Sequence, residues 1–401
     1  MAHEVLIIGG GLLGCAGAWH LARAGRSVRL IEARGINAGA SGQNAGSLHF
    51  QIERRFLEPG GTAHGSGADI VRLNRLAIDE WAGLEEQLAR PLDIHMHGGL
   101  MLAESEADQE LLAFKVAREN ALGLPTQLLS GDEARGLVPH LAPHIRGAAW
   151  LAQEGHANPR ILADAFADAA RQAGATIEVQ TRLIDLRRDG EHWRATIDQS
   201  GRTTTQRARQ VILATGHWTA RIAARMGLNI PLYLAPLMMS VTDRTAPFLP
   251  YLIQHAGKRL SMKQTDDGNV VVGGGWASAP QRMADGPEAG MPDLDAPPRL
   301  VLDNLRANLA VAAGVMPCLR GRSLIRSWTG MTCISADQLP IVGEVPAAPG
   351  LYVAAGGSMF TLGPLLARML ARAMVEGTMP PDIALFSAAR FAHLNAFTVP
   401  S

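Results

Sequence analysis

The sequence reads Val5-Leu6-Ile7-Ile8-Gly9-Gly10-Gly11-Leu12-Leu13-Gly14 near its start, and this stretch decides the fold of the 401-residue chain. Four apolar residues predict a buried strand, and glycines at the GxGxxG spacing follow it directly. Gly9 permits the tight turn, Gly11 lets the main chain approach a pyrophosphate, and Gly14 lets the next helix pack against the strand. The stretch therefore predicts a phosphate-binding turn.

The residues after the turn complete a strand–helix–strand unit. A helix-forming run from Cys15 to Ala24 leads to Gly25 and to a second predicted strand that ends on Glu32. The first N–H groups of such a helix, with its positive dipole end, bind phosphates. A carboxylate at the end of the second strand accepts both hydroxyls of a ribose and disfavours a 2′-phosphate. The unit predicts that the chain binds a dinucleotide.

The composition excludes several classes of protein. With 47% hydrophobic and 18% charged residues, the chain can bury a large core in two interleaved lobes. The basic and acidic residues balance at 37 each, so nothing indicates a nucleic-acid partner or an anionic membrane. The three cysteines (Cys15, Cys318 and Cys333) lack zinc-site spacing and argue against a disulfide framework. No apolar stretch is long enough for a bilayer span, and we expect a cytoplasmic protein without a metal.

Hydrophobic periodicity predicts helices separated by short strands along the rest of the chain. A loop of small residues at 35–46 suits a main chain that wraps closely around a ligand. Residues 279–299 are rich in Pro, Gly, Asp and Ala, and we expect a surface loop there. The predicted helices cover Ile70 to Ala89, Asp108 to Leu122, Pro159 to Gln172 with Asn158 as its cap, Arg299 to Ala313, and Gly363 to Val375.

The end of the chain repeats the pattern of its start. Residues 350–357 predict a strand that runs into a glycine turn, and an apolar helix follows. Ligands of open α/β sheets bind where strand ends meet helix starts. We therefore expect both ends of the chain to build one site. The expected fold class is α/β, with a Rossmann-like domain interleaved with a mixed antiparallel-sheet α+β domain.

Five segments in this order resemble the FAD-dependent amine and amino-acid oxidoreductases, which include D-amino acid oxidase, glycine oxidase and sarcosine oxidase. They are Gly9 to Gly14 with Glu32, Ser41 to Gly46, Val211 to Trp218, Ser327 to Gly343, and Gly350 to Pro364. The resemblance implies a discontinuous FAD-binding domain of residues 1–80, 150–225 and 325–401. Residues 81–149 and 226–324 would then form the substrate domain.

The resemblance also implies which residues contact FAD. The nucleotide half would lie against the glycine turn and Glu32, and the flavin ring against the small-residue loop and the closing turn. The expected cofactor-binding residues are Gly9, Gly11, Leu12, Leu13, Gly14, Glu32, Ala33, Arg34, Ser41, Gln43, Asn44, Ala45, Gly46, Gly216, Trp218, Gly330, Gly356, Gly357, Met359 and Thr361.

Three departures from the family pattern concern the substrate and the cofactor linkage. Thr332 stands where many relatives have a carboxylate-binding arginine, so Arg54, Arg55, Arg259 or Arg326 would have to replace it. Gly330 stands where covalent flavoproteins of the family have a cysteine, which implies non-covalent FAD. The closing turn reads Gly356-Gly357-Ser358 in place of Gly-His-Gly, which is closer to the flavoprotein subunits of heteromeric dehydrogenases.

Three residues are the candidate catalytic groups. Lys263 is on a predicted strand, near where related oxidases carry a lysine that faces the flavin; the alternative is an exposed strand lysine. His49 follows the flavin loop and could orient the substrate, or it is an ordinary hydrogen-bonded histidine. Met359 is expected in the wall of an apolar substrate pocket, and Trp276, Tyr251 and Trp328 are further wall candidates.

The function that these residues predict is oxidation of the C–N bond of an amine or amino acid to an imine, with hydride transfer to flavin. One alternative makes the chain the catalytic subunit of a heteromeric dehydrogenase of opine, D-amino acid or sarcosine type. Another is an NAD-binding Rossmann protein, which would need neither the segment after Val211 nor the closing turn. A small-molecule amine is the expected partner, with a homo-oligomer or a partner subunit as further possibilities.

Overall fold

The computed structural model describes residues 3–57, 66–280, 282–283 and 292–395. The strands are β1 His3–Ile8, β2 Val28–Ile31, β3 Ser47–Leu48, β4 Gly99–Ala103, β5 Gln127–Ser130, β6 Gly147–Leu151, β7 Gly155–His156, β8 Thr176–Glu178, β9 Thr181–Asp189, β10 His192–Gln199, β11 Arg202–Leu213, β12 Leu232–Arg244, β13 Leu252–His255, β14 Ser261–Gln264, β15 Asn269–Gly273, β16 Leu324–Ser335, β17 Ile341–Glu344 and β18 Leu351–Ala355. The α-helices are α1 Leu12–Arg23, α2 Ala40–Gln43, α3 Ser66–Ala82, α4 Leu84–Leu88, α5 Glu106–Ala121, α6 Gly131–Leu137, α7 Pro159–Gln172, α8 Thr219–Ala224, α9 Leu302–Val315, α10 Gly363–Glu376 and α11 Pro381–Ala384. Short 3₁₀ helices cover Arg54–Phe56, Gly216–Trp218, Pro317–Leu319 and Ala388–Asn395.

The first sheet contains the two strands that flank the glycine turn, β1 and β2. Its strand order is β17-β18-β11-β1-β2-β8, and β9 and β10 extend it beside β11. β1 pairs in parallel with β2 on one side and with β11 on the other. The chain therefore changes direction across the sheet at β1, and this arrangement opens a crevice at the carboxyl ends of β1 and β11.

The two ends of the chain pack together around this crevice. β18, from the end of the chain, pairs in parallel with β11. Helix α1 packs against both α7 and α10, and Cys15, Trp19 and Leu21 on α1 are buried. Burial of these apolar side chains on α1 removes them from water and holds the terminal helix α10 in place.

The second sheet has the strand order β16-β12-β15-β14-β13-β4-β6-β5. Its pairs are antiparallel except for β13 with β4. Strand β16 pairs with β12 from Leu232 opposite Ser335 to Thr242 opposite Leu324. The expected start of an FAD-binding segment at residue 325 thus falls inside a strand of the second sheet, because this long pairing carries β16 away from the first sheet.

Most expected helices occur, with changes at their ends. Helix α7 spans Pro159–Gln172, and Asn158 Oδ1 accepts the N–H of Arg160 at 3.0 Å. The helix expected from Ile70 to Ala89 instead ends at Ala82 and resumes as the short helix α4. Gly83 separates the two, since glycine weakens a helix interior. Within the described ranges, no helix combines the length and apolarity that a bilayer crossing requires.

The expected surface loop at 279–299 is only partly at the surface. Leu294 is 6% exposed, and Asp293, Leu294 and Asp295 line the crevice of the first sheet. The expectation of a plain surface loop was therefore wrong for Leu294, which is buried, whereas Asp295 is exposed as expected. Residues 281 and 284–291 of this loop lie outside the described residues.

Candidate active site

The glycine turn fits closely between β1 and β11. Gly9 has φ +111°, and a Cβ on it would overlap the carbonyl oxygen of Ala214 at the end of β11. A Cβ on Gly14 would overlap the carbonyl oxygen of Gly9. A side chain at position 9 would push the turn away from β11, and one at position 14 would push α1 away from the turn, so the close turn requires glycine at both positions.

The turn presents main-chain donors to the crevice. Leu12 N donates to Ser41 Oγ at 3.0 Å. Within the described part of the chain, the N–H groups of Gly11 and Leu13 have no recorded acceptor. N–H groups at a helix start that lack an acceptor, together with the helix dipole, form a site for a pyrophosphate.

Glu32 lies at the end of β2 beside the turn. Its Oε2 accepts the N–H of Gly10 at 2.7 Å, and its Oε1 accepts the N–H of Arg34 at 2.8 Å. Each carboxylate oxygen can accept more than one hydrogen bond. The two main-chain bonds therefore orient the carboxylate and leave lone pairs that a ribose could use.

The end of the crevice beside Arg34 has an aromatic wall. The Arg34 guanidinium lies 4.9 Å from the ring centroid of Trp218, and a Cβ on Gly39 would lie 3.9 Å from the same ring. His217 Nε2 donates to the carbonyl oxygen of Leu294 at 3.3 Å, and burial lowers the pKa of His217 to about 4. The uncharged His217 thus holds residues 293–295 at this end of the crevice through Leu294. No local sequence pattern indicates this contact.

The small-residue loop shapes the other end of the crevice. Asn44 Nδ2 donates to the carbonyl oxygen of Ser41 at 2.6 Å, and Asn44 Oδ1 accepts the N–H of Gly46 at 2.6 Å. Gly46 has φ +76°, and a Cβ on it would overlap the carbonyl oxygen of Ala157 and lie 2.9 Å from Lys263 Nζ. Gly46 therefore allows the loop to lie directly against the amine of Lys263.

Lys263 is the buried cation of this end of the site. It is one of only three lysines in the chain, and it is 3% exposed on β14. No hydrogen bond or ion pair of its amine is recorded within the described ranges. Burial lowers the pKa of Lys263 to about 7. Near neutral pH the Lys263 side chain is thus present both as the neutral amine and as the ammonium. An exposed lysine would be fully charged.

His49 lies between Lys263 and the closing turn. Its main-chain N–H donates to Thr361 Oγ1 at 3.2 Å, and Trp81 Nε1 donates to the carbonyl oxygen of Thr361 at 2.6 Å. The His49 Nδ1 atom is buried without a recorded partner in the described residues. Burial, with the neighbouring cations of Lys263 and Arg55, lowers the pKa of His49, so the ring is neutral. A neutral ring with an unpaired nitrogen suits a bound group that the structure does not contain.

A clasp formed by Glu53, Arg55 and Ser358 joins this segment to the closing turn. Arg55 donates to Glu53 Oε1 at 3.1 Å, to Ser358 Oγ at 2.6 Å and to the carbonyl oxygen of Gln338 at 3.1 Å. Ser358 Oγ donates to Glu53 Oε1 at 2.7 Å, and Ser358 has φ +54°. Burial opposes ionisation of Glu53, but the Arg55 guanidinium and these hydrogen bonds lower its pKa to about 2. Sequence reasoning missed the clasp because Ser358 is more than 300 positions from Glu53 and Arg55 in the chain.

The second sheet reaches the small-residue loop through β16. Trp328 Nε1 donates to the carbonyl oxygen of Gln43 at 2.8 Å, and a Cβ on Gly330 would lie 3.2 Å from Gln43 Cβ. Gly330 carries no thiol, and Cys333 is buried in the same strand. Tyr251, a candidate for the pocket wall, instead packs edge-on against Trp150 at 4.8 Å, among the core side chains on the other face of this sheet.

The structure distinguishes the arginines that were candidates for a carboxylate anchor. Arg55 is committed to the clasp, and Arg259 Nη1 donates to the carbonyl oxygen of Gly275. Arg54 also has an interaction partner. Arg326 is exposed on β16, and no partner for it is recorded in the described ranges. The described residues contain no cluster of His, Cys, Asp or Glu side chains suited to a metal ion.

The fold and the crevice define an oxidoreductase of the flavin-binding Rossmann class. The chain belongs to the FAD dependent oxidoreductase family (DAO), whose sequence pattern matches residues 4–373. Glycine oxidase of Geobacillus kaustophilus (strain HTA426) is 28% identical over 409 residues, 97% of each chain. An opine oxidase subunit of Rhizobium meliloti is 26% identical over 396 residues, again 97% of each chain. The crystal structure of glycine oxidase from Geobacillus kaustophilus superposes with a TM-score of 0.82 at 26% identity and covers 97% of this chain and 99% of that one.

FAD is the cofactor, and the residues of the crevice fit it. The N–H groups of the turn without a recorded acceptor suit its pyrophosphate, and the buried Nδ1 of His49 is a further polar atom without a recorded partner in the described residues. The family match covers residues 4–373, which include the end of β11 and the closing turn. An NAD-binding protein needs neither segment, so we reject NAD as the cofactor.

Proposed function

We propose that this protein oxidises the C–N bond of an amine or amino acid to an imine, which then hydrolyses. The observation that carries the proposal is the buried, unpaired amine of Lys263 against Gly46 of the small-residue loop. Two relatives that match over 97% of this chain are named as an oxidase of glycine and as a subunit of an opine oxidase. The three free cysteines further support a reducing, cytoplasmic location.

Bound FAD supplies the acceptor for the hydride of the substrate. The chain itself holds the substrate carbon close to the ring and excludes water. The unpaired Nδ1 of the neutral His49 is available for a hydrogen bond to a bound group, and Met359 contributes partly buried apolar surface beside the closing turn. The clasp keeps that turn joined to the segment that carries His49. The cationic form of Lys263 stabilises negative charge that develops next to it.

A visible spectrum of the purified protein tests this proposal. We expect a yellow protein that releases its colour on acid precipitation, because Gly330 stands where a covalent flavin link would need a cysteine. Amines and D-amino acids, added one at a time without oxygen, should bleach the flavin band for at least one compound. A yellow protein that no amine of such a panel bleaches contradicts the proposed reaction.

The Lys263→Met variant should separate binding from reaction. Methionine fills a similar volume and removes the charge, so we expect FAD content to be unchanged. Reoxidation of the reduced protein by oxygen should slow by roughly 10²-fold, the usual effect of losing one electrostatic stabiliser. Stopped-flow absorbance measures the reoxidation rate. Lys258→Met is the matched control, because Lys258 is exposed and paired with Glu104. Equal reoxidation rates in both variants would exclude this role for Lys263.

A second candidate function is that of a catalytic subunit that passes electrons to a partner. The opine oxidase relative is itself named as a subunit, which favours this function. The apolar pair Leu324 and Ile325 also favours it, since they are 38% and 62% exposed at the start of the edge strand β16. The isolated chain would then reduce an artificial dye with substrate but consume little oxygen. Oxygen consumption at the rate of dye reduction supports the simple oxidase instead.

A further inference from the structure

Five buried polar side chains lie beneath the segment that carries His49 and Glu53. We call them the buried polar network, and they are Gln51, Lys115, Glu119, Glu154 and Gln254. Gln254 is 6% exposed, and the other four are 0% exposed. Burial of a polar group costs free energy unless a hydrogen-bond partner replaces the lost water. The partners of these five side chains therefore explain why they can be buried.

Glu154 accepts three N–H groups in this network. The main-chain N–H of Gln51 and the Gln254 Nε2 donate to Glu154 Oε1, each at 3.1 Å. Gln51 Nε2 donates to Glu154 Oε2 at 2.5 Å. Only an ionised carboxylate accepts at both oxygens without carrying a hydrogen of its own. A proton on Glu154 would occupy one of these lone pairs and remove the charge, and both changes weaken the three bonds.

Lys115 and Glu119 complete the network from α5. Lys115 Nζ donates to Gln51 Oε1 at 2.6 Å and to Glu119 Oε2 at 2.8 Å. Glu119 Oε1 accepts the main-chain N–H of Ile52 at 2.5 Å. The N–H groups of two consecutive residues, Gln51 and Ile52, are thus held by carboxylates from two other parts of the chain.

These contacts determine where His49 and Glu53 lie. Gln51 and Ile52 stand between them in the chain, and Asn74 Nδ2 holds the intervening carbonyl oxygen of Phe50 at 2.8 Å. His49 carries the unpaired Nδ1, and Glu53 belongs to the clasp with Ser358. A loss of the bonds to Gln51 would remove one of the three main-chain contacts that hold this stretch, beside those of Phe50 and Ile52.

We propose that Glu154 is a positioning residue that holds residues 49–53 against the flavin ring, and that its protonation releases this segment and weakens FAD binding. The proposal rests on the proposed function, since it assumes that the segment borders the ring. Burial raises the pKa of Glu154 to about 7, against the lowering effect of Lys115 and the Gln51 bonds. Lys115 and Glu119, both from α5, are the charged groups that face it. Protonation of Glu154, and with it the release of residues 49–53, then occurs within the pH range in which an enzyme is normally assayed.

The dissociation constant of FAD tests the proposal without any turnover. Apoprotein is titrated with FAD by fluorescence quenching from about pH 6 to about pH 8.5, a range that brackets the Glu154 titration. In the wild type, affinity should fall with decreasing pH below about 7, by up to about tenfold per pH unit. The Glu154→Gln variant should bind FAD weakly at every pH and lose this dependence, because an amide cannot accept all three bonds.

A second variant keeps the test decisive if Glu154→Gln fails to fold. Gln254→Met removes one donor to Glu154 Oε1, which favours protonation and should move the midpoint of the pH dependence upward. Glu104→Gln is the matched control, since Glu104 is a partly buried carboxylate that pairs with His255 and Lys258 outside the network. Its pH dependence should equal that of the wild type.

Lys263 titrates in the same range and must be separated from Glu154. The Lys263→Met variant should retain the pH dependence of FAD binding. Loss of the dependence in Lys263→Met, or a wild-type profile in both Glu154→Gln and Gln254→Met, overturns the role of Glu154. Failure of every amine to bleach bound FAD would instead reject the proposed reaction, and the FAD titration is unaffected by that result.

Discussion

The Gly14→Ala variant is expected to bind FAD roughly 10²-fold more weakly than the wild type, while Gly17→Ala binds it normally. Both substitutions add one methyl group to α1. At position 14 the methyl would overlap the carbonyl oxygen of Gly9, so α1 must move away from the turn. A shift of about 1 Å in a positioned binding group can produce a loss of this size.

At position 17 the new methyl has room. The nearest heavy atom outside the helix backbone is Ile7 Cδ1 at 4.0 Å, an ordinary contact distance. Alanine also favours the helix by about 0.5–1 kcal/mol over glycine. Fluorescence titration of the apoproteins with FAD gives both affinities, and circular dichroism shows whether both variants fold. Equal FAD affinity in the two variants would contradict the close helix–turn contact.

The Lys115→Met variant is expected to lose about 3–5 kcal/mol of unfolding free energy. Lys115 and Glu119 are both fully buried and 2.8 Å apart, so removal of the cation leaves the Glu119 carboxylate without its counter-charge. Gln51 Oε1 also loses its donor. Because native proteins are stable by only about 5–15 kcal/mol, this change should lower the denaturant midpoint markedly.

Two further variants sharpen the measurement. Lys258→Met removes an exposed lysine, and His255 still faces the Glu104 carboxylate, so stability should change by less than about 1 kcal/mol. The Lys115→Met/Glu119→Met double variant removes both charges, but it leaves the N–H of Ile52 and Gln51 Oε1 unpaired and should stay destabilised. A midpoint for Lys115→Met as close to the wild type as that of Lys258→Met would show that the buried pair does not stabilise the fold.

Local features of this site were predictable because they depend on neighbours in the chain. The turn from Gly9 to Gly14 follows from the spacing of its glycines, and the start of α7 follows from Asn158 and Pro159. The family resemblance added the order of the segments and the cofactor. Gly46 was expected in the loop beside the ring, but its contact with Lys263 Nζ depends on strands that lie more than 200 residues apart.

The parts that sequence reasoning missed are contacts between distant segments. Residues 293–295 line the crevice, where His217 holds the carbonyl oxygen of Leu294. Their composition indicates only a loop. Arg55 was a candidate anchor for substrate, yet the fold places Glu53 and Ser358 beside it and uses its charge internally. Whether an arginine is available to a ligand depends on which partners the folded chain brings within reach.

The sequence by itself determined that this chain binds a dinucleotide and which glycines make the turn, since a steric requirement within six residues leaves few alternatives. Only the tertiary structure decided the charge states of Lys263 and Glu154 and the partners of Arg55. Those properties depend on burial and on the distance to other charges, and both quantities arise only when segments far apart in the chain pack together.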